Sequence, residues 1–136
     1  MQSMQQLLDI MRALRDPDSG CPWDLQQNFQ SLIPYTIEEA YEVADAIEQN
    51  NLDDIKSELG DLLFQIVFYS QLAEEQHAFN FTDVAESICK KLVRRHPHVF
   101  ADMKVADAEQ QTKEWERLKQ QEREAKAEKN SRVSCL

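Results

Sequence analysis

The stretch ELGDLLFQIVFYSQL, residues 58–72, decides the fold. Two acids one turn apart, Glu58 and Asp61, run directly into Leu62, Leu63, Phe64, Ile66, Val67, Phe68 and Tyr69. At about 100° per residue these apolar side chains point in nearly every direction around a helix axis. Such a helix belongs inside a bundle or a subunit interface, and one neighbouring helix cannot cover it. The other segments are amphipathic or polar and supply too little apolar surface. The expected architecture is therefore all-α, a bundle of about five helices that is an obligate oligomer, a dimer or a dimer of dimers.

Composition agrees with this. The 136 residues hold two glycines and four prolines, against 42% hydrophobic and 29% charged residues. Sandwiches and barrels need many more turns. Two glycines forty residues apart also exclude a Walker-type loop and a dinucleotide G-x-G-x-x-G, so any phosphate must be held by a metal or by cationic side chains. A formal charge of −10 argues against nucleic acid or an anionic membrane as partner. Residues 1–6 show no basic and apolar leader, and no apolar run approaches the roughly 18 residues of a membrane span. Cys21, Cys89 and Cys135 have no C-x-x-C spacing, which points to reduced thiols. A cytoplasmic protein is expected.

Five helices are read: about Ser3 to Arg15; Thr36 to Gln49; Asp53 to Gln76; a fourth capped by Thr82 and ending before Pro97; and a mostly polar fifth, Asp107 to Glu128, with exposed Glu109–Lys113 and Glu122–Lys126 pairs. DPDSGCPWD (residues 16–24) forces a loop. One domain over residues 1–128 and a frayed tail at 129–136 are expected.

On the second helix, Ile37, Ala40, Tyr41, Val43, Ala44 and Ile47 fill one broad side, and Glu38, Glu39 and Glu42 fall on another. Folding the second and third helices back on each other at Asn50-Asn51 brings Glu39 and Glu42 to the height of Glu58 and Asp61. Each glutamate alone has an ordinary reading. Thr36 and Glu39 fit a capping box, and acids suit the start of a helix. Four carboxylates converging beside a buried segment repel one another and lose hydration, which a hard divalent cation relieves. Mg²⁺ is the ordinary choice, with Mn²⁺ as substitute. Gly60, between the two acids, gives up roughly 1 kcal/mol of helix propensity and would let another group approach.

EEAYE (38–42) with ELGD (58–61) resembles the E-E-x-x-E … E-x-x-D signature of the MazG-type nucleoside triphosphate pyrophosphohydrolases, within the all-α NTP pyrophosphohydrolase superfamily. The likeness extends to GCPWD (20–24), GDLLFQIVF (60–68), KLVRRHPHVF (91–100) and WERLK (115–119), and is closest to the first domain of a two-domain MazG. It implies a helical oligomer that hydrolyses nucleoside triphosphates, ribo- or deoxyribo-, to monophosphate and pyrophosphate with Mg²⁺. It also implies Glu39, Glu42, Glu58 and Asp61 as metal ligands, with Glu38 and Glu39 as catalytic carboxylates. Glu38 is either an outer residue or the base for the attacking water. Lys91 and Arg95 would hold phosphates, and Trp115 with Lys119 would complete the nucleotide site.

The remaining candidates have two readings each. KKLVRRHPH (90–98), which contains Arg94, is the one basic cluster of an acidic chain. It is either a soluble helix end or, beside a metal site, a phosphate grip. Trp23 is a core anchor or a base-stacking platform. Trp115 covers the site or packs on the bundle. His96 and His98 pair with carboxylates or cap. A di-iron bundle wants two E-x-x-H motifs and finds one, at Glu74 and His77. A catalytically weak interaction module with a vestigial metal site is the alternative to the enzyme, and only the cations speak against it.

Overall fold

The computed structural model describes residues 2–101 and 107–134, the side chains through Ala127. Those residues form seven helices: α1 Gln2–Leu14, α2 Pro22–Leu25, α3 Phe29–Glu48, α4 Leu52–Glu75, α5 Phe81–Arg95, α6 Pro97–Phe100 and α7 Ala108–Ser134. No strand occurs among them. The two helices beyond the expected five, α2 and α6, are single turns that each open on a proline. A fixed φ and a missing N–H suit the first helical position, and Pro97, which follows the end of α5, opens α6. The backbone of α7 stays helical past the expected end at Glu128. The chain divides into two compact units between Val84 and Ala85.

The first unit holds the core. Met11 of α1, Leu32 of α3, and Val67, Phe68 and Leu72 of α4 are buried together, with Leu7, Leu14, Phe29, Phe64, Tyr69 and Phe81 packed around them. Burying side chains of this size contributes about 1.5–3 kcal/mol each. Arg15 joins three elements beside this core. It donates to both carboxylate oxygens of Glu75 at 3.0 and 2.5 Å and to the carbonyl of Asp24 at 2.7 Å. The loop after α1 turns on Asp16, whose Oδ1 accepts from the backbone N–H of Asp18 and Ser19 at 2.9 and 3.0 Å. Gly20 is required there, since a Cβ would lie 2.3 Å from the carbonyl oxygen of Leu14.

α3 begins seven residues before the expected Thr36. Asn28 caps it through a reciprocal pair: Ser31 N–H donates to Asn28 Oδ1, and Asn28 N–H donates to Ser31 Oγ, both at 2.8 Å. Pro34 is carried inside the helix. Its ring deprives the Gln30 carbonyl of a donor, but both residues are exposed and water can serve that carbonyl. Burial of Leu32 and the stacking of Phe29 on Tyr69, ring centres 5.8 Å apart, hold the added turns in place. Thr36 is thus an interior residue rather than a cap. Its hydroxyl lies 2.6 Å from that of Tyr69 and 3.1 Å from both Gln65 Oε1 and the Leu32 carbonyl.

Asn50 takes a left-handed φ of 55° and ends α3, and Asn51 caps α4 by accepting from Asp54 N–H at 3.2 Å. The expected reversal at this pair is found, and α3 packs along α4. α5 starts at Phe81 rather than Thr82, because Asn80 and Asp83 cap reciprocally at 3.0 and 2.9 Å.

The apolar side of α3 is largely uncovered. Tyr41 is 74% exposed and Ile37 54%, and Ala40, Ala44 and Ile47 are exposed with them. On α4 the core claims the C-terminal half, while Leu59, Gly60 and Ile66 are exposed. A Cβ on Gly60 would meet nothing within 4 Å, so the close approach expected there is not made by the described residues.

In the second unit α5 ends at Arg95, before Pro97 as expected, and α6 and α7 follow. Trp115 Nε1–H donates to the Arg95 carbonyl at 2.6 Å, with the His96 ring edge-on to the indole at 4.9 Å.

Candidate metal centre

α3 and α4 carry their acids to one place. Glu39, Glu58 and Asp61 each offer a carboxylate oxygen, and the three oxygens lie within 4.8 Å of one another. The spacing of three residues on α4 sets Glu58 and Asp61 on one face, and the Thr36–Gln65–Tyr69 bonds fix α3 against that face one turn further along.

The surroundings of these oxygens are unusual for acids. Glu39 Oε1 and Glu58 Oε2 are buried and have no hydrogen-bond partner. A buried polar atom left unpaired costs roughly 1–3 kcal/mol, more when charged. Burial pushes the Glu39 carboxyl up to about 8, and the neighbouring carboxyls of Glu58 and Glu42 add to the rise by sharing its proton and by like charge. The burial is local to one oxygen, since the residue as a whole is half-exposed. Among the described residues no cation faces this cluster in an ion pair. A proton or a metal cation can supply the missing positive charge. An all-oxygen donor set with unsatisfied lone pairs fits a hard divalent ion such as Mg²⁺ or Mn²⁺.

Of the expected carboxylates, then, Glu39, Glu58 and Asp61 come together. Glu42 is exposed and stands close enough to act on Glu39. Glu38 is exposed on the same helix with no bonded partner among the described residues. Neither histidine joins the cluster. His96 Nδ1 lies 2.6 Å from the Leu92 carbonyl, and His98 Nε2 lies 3.0 Å from Gln111 Nε2. Glu74 of the lone E-x-x-H pairs with Arg12 at 3.5 Å, and His77 is a left-handed turn residue. Trp23 is 45% exposed, not a core anchor, and sets its ring edge-on to Tyr35 at 5.4 Å.

The cations belong to the second unit. Lys91, Arg94 and Arg95 of α5 and Lys119 of α7 line one open groove of about 350 Å³ with Glu122, Arg123 and Lys126. The last three were missed as site residues. Glu122 was expected in an exposed pair with Lys126; instead its carboxylate binds Arg94 and Arg95 across the groove. Lys119, Glu122, Arg123 and Lys126 recur at the spacing of one helical face, and that pattern was the signal available.

The described residues are helical wherever they form regular structure and carry a carboxylate cluster suited to a divalent ion, and comparison gives the family. Residues 27–100 match the family model of the MazG nucleotide pyrophosphohydrolase domain. The chain is 51% identical over 128 residues to the nucleoside triphosphate pyrophosphohydrolase of Escherichia coli K12, covering 94% of this chain and 49% of that one. It is 46% identical over 129 residues to the nucleoside triphosphate pyrophosphohydrolase/pyrophosphatase MazG of Thermotoga maritima, covering 95% and 48%. The crystal structure of a mazG-related protein from Thermotoga maritima superposes with a TM-score of 0.67 at 26% identity, over 85% of this chain and 98% of that one. The chain belongs to the MazG nucleotide pyrophosphohydrolase family. It spans about half the length of the curated relatives it matches.

The raised Glu39 carboxyl gives the site a pH signature. The folded chain keeps a proton between about 4.5 and 8 that the unfolded chain has lost, so stability of the metal-free protein falls as pH rises through that window and levels above 8. A divalent ion must displace the same proton. Its affinity is expected to rise up to about tenfold per pH unit below 8 and to flatten above. Calorimetric Mg²⁺ titrations from pH 6 to 9 on the wild type and on Glu39→Gln check this; an affinity independent of pH between 6 and 8 in the wild type refutes it.

Proposed function

We propose that this chain hydrolyses nucleoside triphosphates to nucleoside monophosphate and pyrophosphate in a Mg²⁺-dependent reaction, as a cytoplasmic enzyme whose catalytic domain is residues 1–128. The observation that carries the reading is the pair of buried, unpartnered oxygens of Glu39 and Glu58 beside Asp61, in a chain of the MazG family.

Glu39, Glu42, Glu58 and Asp61 would hold the ion, which when bound polarises the phosphate and acidifies a water. Glu38, one residue from Glu39 and exposed to solvent, accepts the proton of the attacking water. Lys91, Arg95 and Lys119, with Arg94 beside them, bind phosphate oxygens through charge-assisted bonds and stabilise charge on the leaving pyrophosphate. Trp115 spends its N–H on the Arg95 carbonyl, which orients that arginine's backbone, and the indole, with His96 against it, would border the nucleotide. Trp23 and its partner Tyr35 offer a second aromatic surface for a base.

The same reading makes the chain an oligomer. Ile37, Tyr41 and Ile47 of α3 with Leu59 and Ile66 of α4 leave a large apolar area exposed on the first unit, and a second copy packed on it would bury these side chains symmetrically.

Glu58→Gln and Asp61→Asn should each lower Mg²⁺-dependent pyrophosphate release by more than about 100-fold while raising the melting temperature in EDTA, since each removes one of the repelling charges. An assay over a panel of triphosphates, read beside circular dichroism, tests both halves; activity within a few-fold of wild type sinks the assignment. Light scattering at micromolar concentration should give at least twice the 15.9 kDa chain mass, and Tyr41→Asp should return it to the monomer. A wild-type protein that scatters as a monomer rules the interface out.

A further inference from the structure

The basic groove of the second unit contains one acid, and that acid occupies its arginines. Six cations line the groove with Glu122 as the single carboxylate, in a chain of formal charge −10. Arg94 donates Nε–H to Glu122 Oε1 at 3.0 Å and Nη2–H to the same oxygen. Arg95 donates Nη2–H to Oε2 and Nε–H to Oε1 at 3.3 Å. Two guanidinium forks thus close on one carboxylate, the arrangement by which forks hold a phosphate. The remaining cations have little else. Lys119 lies 3.9 Å from the exposed Glu116, and Arg123 donates to the neutral amide oxygen of Gln120. Among the described residues no carboxylate is in ion-pair reach of Lys91, Arg123 or Lys126.

A salt bridge at a mostly exposed helix face would normally be one acid to one base and worth little. Here one acid answers two arginines at the centre of a groove that remains strongly positive. The groove volume is at the low end of the roughly 300–1,000 Å³ usual for small-molecule sites.

We propose that Glu122 is a resident stand-in for a phosphate group: it holds Arg94 and Arg95 while the groove is free and is displaced when a linked polyphosphate enters. The inference rests on the assignment of Lys91 and Arg95 to the phosphates above, and adds a determinant of how tightly they are held. A triphosphate chain meets all six cations at once and outcompetes a single carboxylate. A lone phosphate exchanges one small anion for another at the arginine pair and gains much less. Every anion that takes the arginines pays the same cost of displacing Glu122, so at a given concentration the multiply bonded triphosphate stays bound where an isolated phosphate group does not. Once displaced, its carboxylate stays tethered beside the arginines and favours release of what is bound.

The test uses inorganic tripolyphosphate and orthophosphate as probes, titrated calorimetrically in EDTA so that no metal contributes. Glu122→Gln is expected to bind tripolyphosphate and orthophosphate each about tenfold more tightly, and the affinity should fall more steeply with salt. In turnover, KM for a nucleoside triphosphate should fall several-fold. Glu122→Asp should keep the affinity near that of the wild type, and Arg95→Ala should weaken tripolyphosphate binding. Circular dichroism of each variant guards against loss of the helix. Tripolyphosphate binding that is unchanged or weaker in Glu122→Gln overturns the proposal, because Glu122 would then only brace the arginines. Absence of tripolyphosphate binding in both proteins overturns it as well. The expected binding pattern in a chain without hydrolytic activity would overturn the proposed reaction and leave this inference standing.

Discussion

Packing α3 along α4 buries two carboxylate oxygens that nothing in the first unit satisfies, and much of the rest of that unit serves to hold this arrangement. The Asn28–Ser31 cap and the buried Leu32 anchor one end of α3, and the left-handed Asn50 with the Asn51 cap fixes the other. Between them the Thr36, Gln65 and Tyr69 side chains bond the two helices where a polar contact would otherwise be replaced by water. Left to electrostatics, Glu39 and Glu58 would move apart into solvent. Core burial of Val67, Phe68 and Leu72 against Met11 and Leu32 opposes that. The acids are held near one another by an energy that has no electrostatic origin, which is how a protein preorganises a site for a cation it binds later.

The two units divide the chemistry by charge. The first concentrates carboxylates and the second concentrates the cations of α5 and α7. In a chain of −10 net charge with 15 lysines and arginines, six of these cations line one groove. Glu122 neutralises only part of that groove.

Much of this was legible in the sequence because it depends on short spacings. Glu58 and Asp61 stay one turn apart wherever α4 begins, and Asn50-Asn51 is a strong enough break to fix the reversal that brings Glu39 to them. Boundaries set by packing were not legible. Pro34 reads as a helix breaker, and only the exposure of Gln30 and Pro34 together with burial of Leu32 shows why α3 runs through it. Thr36 and Glu39 match a capping box in letters, yet Thr36 is spent on Gln65 and Tyr69. The apolar side of α3 was read correctly as a face and is exposed in the single chain. Glu122 was misread for a related reason: an i,i+4 partner is visible in sequence, whereas a partner on another helix is not.

The cluster of Glu39, Glu58 and Asp61 is proposed to hold a divalent cation. Crystals of the protein soaked in Mn²⁺ test it most directly, through the anomalous scattering of the metal. A strong peak bounded by these three carboxylates is expected, with its loss in Glu58→Gln crystals grown the same way. Mn²⁺ found only elsewhere, with the three carboxylates unligated at saturating metal, would contradict it.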